Sequence, residues 1–67
     1  MNFKKYKICC INKGINTSEI AVLMGIHRMT LYSKLQGRIK FSDKDLKALK
    51  KILNLNNEEF IEIFFED

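Results

Sequence analysis

The chain has 67 residues, 46% hydrophobic and 30% charged, with a formal net charge of +4. In so short a stretch one domain at most and no deep substrate pocket are expected, and it buries only about 60% of its unfolded surface, so a partner subunit would help it. The composition is globular, and no apolar run approaches the ~18 residues needed to cross a bilayer. The basic start Met1-Asn2-Phe3-Lys4-Lys5-Tyr6-Lys7 leads into no long apolar region or small-residue cleavage site, so a cytoplasmic protein without a signal peptide is expected.

Between short breaks the apolar spacing is helical throughout, with no strand alternation. A first helix is expected over about Phe3 to Lys13, with Phe3, Tyr6 and Cys10 on one face. Cys9 and Cys10 are neighbours that cannot close an unstrained disulfide within a helix, and His27, the only other soft ligand, stands alone. Inert thiols and no metal site are expected. Gly14 suits the left-handed position after a helix end. Asn16-Thr17-Ser18-Glu19 has the form of a capping box, opening a second helix to about Met24 that turns Ile20, Ala21 and Met24 inward. Gly25 breaks it, Ile26 follows as an apolar plug, and a third helix over Arg28 to Leu35 buries Leu31 and Leu35 before Gly37 closes it. Ser42-Asp43-Lys44-Asp45 caps a fourth helix striped by Leu46, Leu49 and Leu53. Asn56 and Glu59 repeat the capping pattern, and Leu55 with Phe60 has the spacing of a hydrophobic staple. A short fifth helix carries Phe60, Ile61, Ile63, Phe64 and Phe65. The expected fold class is all-α, one domain over residues 1–67 built as a compact bundle of about five short helices.

The informative stretch is residues 17–36, two helices of about two turns joined by a tight turn with Gly25 and Ile26. Ala21 is small where the helices cross, Gly25 takes a turn conformation costly to a residue with Cβ, and Ile26 and Leu31 fill the angle. The other face of the third helix carries His27, Arg28, Met29, Tyr32 and Ser33, with no acid among them, as a phosphate-lined groove requires. The pattern Ile20-Ala21, Met24-Gly25-Ile26 and Thr30-Leu31 resembles the Cro/phage-repressor (XRE-like) helix-turn-helix family. The run Thr30 to Gly37, then Phe41-Ser42 and Ile63-Phe64-Phe65, looks like small prophage regulators of Gram-positive bacteria, so the resemblance extends from Tyr6 to Phe65. Two departures stand out. Many family members keep an apolar residue where Lys34 stands, and the glutamines several phage repressors set on base edges are missing.

The resemblance implies a lambda-repressor-like domain and a sequence-specific transcriptional regulator of double-stranded DNA, its third helix in the major groove. Arg28 is the expected specific contact, because a guanidinium bonds guanine O6 and N7 together. Met29 suits a thymine methyl, Tyr32 or Ser33 a base or phosphate, and His27 a helix cap, the backbone or a base. Phosphate anchoring is expected from the amides near Asn16 and Thr17, and from Thr30, Lys34, Arg38, Lys40 and Lys44; the alternative for each lysine is a solvated side chain. Charge supports a polyanion partner. Residues 1–51 hold all twelve bases and three acids, a net +9, whereas residues 52–67 hold five acids and no base, a net −5.

The last helix has more apolar residues than one buried stripe needs. Phe60, Ile61, Phe64 and Phe65 can share a broad face, with Ile63 pointing elsewhere. They either close the core or form a self-association seam, and related regulators often pair two subunits there. A homodimer on a palindromic operator is therefore expected, its two third helices about one DNA turn (~34 Å) apart. No cofactor, metal or small-molecule ligand is expected. One histidine, no phosphate-cradling glycine loop and no paired carboxylates argue against an enzyme. The main rival is a protein-interaction module, such as an antirepressor or an antitoxin; RNA binding lacks an aromatic stacking platform.

Overall fold

A computed structural model describes residues 1–66, and among them the chain is all-helical. Five helices follow one another: α1 (Phe3–Lys13), α2 (Thr17–Met24), α3 (Arg28–Leu35), α4 (Asp43–Ile52) and α5 (Asn57–Phe64). They form a globule of 27 × 24 × 20 Å, and no helix of the described residues is long and apolar enough to cross a membrane.

Local chemistry fixes where the helices begin. Asn16, Ser42 and Asn56 each accept a bond from the amide three residues on, while Glu19, Asp45 and Glu59 reach back to the cap's own amide. Each reciprocal pair satisfies two amides that a helix start leaves without partners. Asn2 caps α1, its Oδ1 accepting the Lys5 amide at 3.1 Å. Gly14, at φ 67°, ends α1 in the left-handed conformation that glycine adopts without a Cβ penalty.

The core gathers one or two side chains from every helix: Tyr6 and Cys10, Ile20 and Ala21, Leu31 and Leu35, Leu49, and Ile63 and Phe64, with Leu53 and Leu55 from the α4–α5 connection. The closest helix pairings are α2 with α3, α2 with α4, and α1 with α5. The Asn2 amide donates to the Ile63 carbonyl at 2.7 Å, joining the start of α1 to α5. Between α1 and α2, the Tyr6 hydroxyl and Thr17 Oγ1 share a hydrogen bond of 2.9 Å. Burial and that bond have opposite effects on Tyr6; burial prevails and holds the phenol well above its ordinary value.

The fifth helix departs from the expected face. Phe60, Ile63 and Phe64 follow i, i+3, i+4 spacing and turn inward, so Ile63 and Phe64 are core residues and Phe60 is half-buried. Phe64 meets Phe41 edge-on at 5.8 Å and Phe60 at 5.3 Å. Ile61 and Phe65, one turn apart, point outward at 49% and 62% exposure. A seam shared by all five side chains is thus corrected: Ile63 does not point away from the others' buried side, and neither it nor Phe64 is available on the surface.

Candidate nucleic-acid interface

Residues 17–36 place two short helices against each other across a tight turn. Gly25 stands at φ 73° and ψ 29°. Its amide donates to the Val22 carbonyl at 3.1 Å, and the next amide, of Ile26, donates to Ala21 at 3.0 Å. The left-handed residue therefore closes the end of α2 while redirecting the chain. Ala21, Leu31 and Leu35 are buried at the junction and Ile26 is half-buried. The site residues sit on elements whose other face is locked into the core.

His27 caps α3 through its side chain, Nδ1 accepting the Met29 amide at 3.1 Å. That bond fixes the ring at the helix start and leaves Nε2 to face outward chemistry. Arg28, Met29 and Tyr32 are exposed together with His27, and Met29 is 60% exposed. Ser33 is half-buried, its carbonyl accepting the amides of Arg38 at 2.9 Å and Ile39 at 3.3 Å. Positions 28, 29, 32 and 33 lie on one side of α3, so all five expected base-reading residues come together, Ser33 at the recessed edge. A guanidinium, a thioether, a phenol and an imidazole make a face that can donate hydrogen bonds and pack on methyl groups, without a carboxylate to repel phosphate.

The expected phosphate anchors divide. Arg38, Lys40 and Lys44 are exposed and have no ion-pair partner among the described residues. Thr30 is half-buried. Lys34 is otherwise engaged: its Nζ donates to Asp45 Oδ2 at 2.5 Å, with the two side chains 15% and 13% exposed. Its assignment as a phosphate contact is corrected, because the ammonium already faces a partly buried carboxylate. Asn16 is corrected likewise. Its amide donates to Glu19 Oε1 and its Oδ1 accepts the Glu19 amide, so the capping box uses both. The Thr17 hydroxyl is held by Tyr6, and at the start of α2 the backbone amides of Thr17 and Ser18 have no partner among the described residues.

Other clusters lie off this face. An open groove of about 450 Å³ runs between α1 and α5, lined by Ile8, Cys9, Asn12 and Glu59, with a Lys5–Glu62 pair at 3.8 Å across it. No residue of α3 lines it. Cys9 and Cys10 are free thiols, pushed above their ordinary value by burial and thus less nucleophilic. No group of three or more metal-ligating side chains gathers among the described residues.

Sequence reasoning missed the Lys34–Asp45 pair, the Tyr6–Thr17 bond and the exposure of Val22 and Leu23 on the outer side of α2. The first two are contacts between helices that no local spacing signals. Val22 and Leu23 follow from the phase of α2: with Ile20, Ala21 and Met24 turned inward, positions 22 and 23 face out. No protein-family model, curated protein or solved structure matches the chain.

Proposed function

We propose that the chain is a sequence-specific, double-stranded DNA-binding transcriptional regulator of the Cro/phage-repressor kind, a helix-turn-helix domain that inserts α3 into the major groove. The observation that carries this reading is the acid-free outer face of α3, where Arg28, Met29 and Tyr32 stand exposed beside His27 on a helix whose inner face is buried. Arg28 reads guanine O6 and N7 bidentately, Met29 packs on a thymine methyl, and Tyr32 and Ser33 touch a base or sugar-phosphate. Arg38, Lys40 and Lys44, with the Thr17 and Ser18 amides, hold the backbone and set register. Such a regulator acts in the cytoplasm, without cofactor or catalytic chemistry.

The protein binds as a homodimer to a palindromic operator, pairing through the outward side of α5, where Ile61 and Phe65 are exposed. A second reading, a module that binds a protein partner as an antirepressor or antitoxin does, is favoured by the exposed apolar pair Val22 and Leu23.

Selection from random duplex DNA with the purified protein, followed by salt titration on the selected sequence, separates the two. The regulator selects a palindrome, binds it with a steep salt dependence, and loses about 1–3 kcal/mol of binding on Arg28→Ala. Equal, weak binding to every duplex refutes it in favour of a protein partner.

A further inference from the structure

Lys34 lies in the last turn of α3 and Asp45 in the first turn of α4. One carboxylate oxygen, Asp45 Oδ2, accepts the Lys34 ammonium at 2.5 Å and the Ser42 amide at 3.0 Å. Asp45 in turn donates its own amide to Ser42 Oγ at 3.1 Å. A single side chain therefore completes the cap of α4 and fastens the end of α3 to it. The connection between them is pinned from the other side, where the amides of Arg38 and Ile39 both donate to the Ser33 carbonyl. Leu35, next to Lys34, is buried in the core, so the pair borders packed apolar surface.

Burying an ion pair this far returns little net stability, because desolvation offsets most of the attraction. Its contribution is directional: the flexible lysine stem is held at one point, and that point belongs to another helix. Withdrawing Lys34 to meet a phosphate would leave the recessed Asp45 carboxylate without its cation, which costs more than an exposed phosphate contact returns. Burial alone would raise the Asp45 carboxyl, but the Lys34 and Ser42 hydrogen bonds outweigh it and hold the group below the usual carboxylate range. The Asp45 carboxylate therefore stays charged near neutral pH.

We infer that the Lys34–Asp45 pair is a positioning joint that fixes the orientation of α3 against α4 and thereby sets sequence discrimination without touching DNA. The inference rests on the DNA-binding reading above, and its test keeps the two apart. Lys34→Met, Asp45→Asn, their double variant and Lys34→Arg are titrated with the selected operator and with an unrelated duplex over a range of salt, at a temperature where circular dichroism finds all of them folded. Lys34→Met, Asp45→Asn and the double variant each lose operator affinity to the same extent, roughly tenfold, about the worth of one misplaced base contact. Affinity for the unrelated duplex and the salt slope stay as they were, and Lys34→Arg keeps operator affinity within about twofold.

A phosphate-binding Lys34 gives the opposite pattern. Lys34→Met then flattens the salt slope by about 0.9 and weakens both duplexes alike, while Asp45→Asn tightens both by removing a negative charge. Either result overturns the joint, as does an unchanged operator affinity. If the unmodified chain has no sequence preference, the DNA reading fails, and the orienting role is judged by residual dipolar couplings of the α3 amides relative to those of α2. Lys34→Met shifts them if the pair orients the helix; unchanged couplings overturn it.

Discussion

Replacing Tyr6 by Phe is expected to destabilise the protein at neutral pH and to stabilise it at high pH. Tyr6 is 1% exposed, and its hydroxyl provides the side-chain hydrogen bond between α1 and the first turn of α2. Removing the hydroxyl costs about 1 kcal/mol at pH 7, the net worth of one such bond. The intact phenol carries a liability at the other end of the scale. Burial raises its folded value far above the ordinary one, so the folded chain keeps a proton that the unfolded chain releases near pH 10. The sign follows from linkage: a raised folded value contributes stability that is complete below about pH 10 and is lost as pH rises from there towards the folded value. The loss is about 1.4 kcal/mol by pH 11 and grows further with pH until the folded value is reached. Tyr6→Phe has no such loss, so the two stability curves cross between about pH 10.5 and 11. Urea unfolding followed at 222 nm, under reducing conditions from pH 7 to 11.5, reads the difference directly. Cys9 occurs in both proteins and cancels, whereas Cys10 is coupled to the Tyr6 hydroxyl and is therefore replaced by Ala in both. A difference that stays constant to pH 11.5 refutes the buried, protonated phenol; a variant more stable at pH 7 refutes the worth of the bond to Thr17.

Two further substitutions test the frame around the site. A Cβ added at Gly25 meets no atom within 4 Å, so Gly25→Ala carries only the left-handed backbone cost. That is about 1 kcal/mol, or roughly 4–8 °C in melting temperature for a chain of this size, and an unchanged melting temperature contradicts the φ of 73°. Phe64→Ala costs about 3–5 kcal/mol and unfolds much of the protein, whereas Phe65→Ala stays within about 0.5 kcal/mol in the monomer. Equal losses in urea titrations of the two variants contradict the inward phase of α5.

What was legible in the sequence is what neighbouring residues decide among themselves. The three capping boxes depend on residues three apart, and each forms as its spacing suggests. The left-handed glycines at positions 14 and 25 need only the end of one helix to define them. The face of α3 was legible because Leu31 and Leu35 fix its phase, which leaves Arg28, Met29 and Tyr32 outward. In α5 the apolar run from Phe60 to Phe65 is broken only by Glu62, so composition gives little phase. The choice falls to Phe41 packing on Phe64 and to the Asn2–Ile63 bond, both distant in the chain. Lys34 was misassigned for a related reason: a lysine on a basic stretch looks like a phosphate anchor until the fold brings Asp45 to it from eleven residues away.

The division of helix pairings has a kinetic side. α2 packs on α3 and α4 close to it in sequence, whereas α1 finds its main partner in α5, nearly the whole chain away. Closing a loop of some fifty residues costs entropy that adjacent helices avoid, so α2–α3–α4 can assemble first and the α1–α5 clasp last. During synthesis, α1 leaves the ribosome before the other four helices and waits longest for its main partner, α5. In the finished protein the same clasp is the natural first step of partial opening. Fluctuations of α1 and α5 can then run their course while α2 and α3 keep their shape.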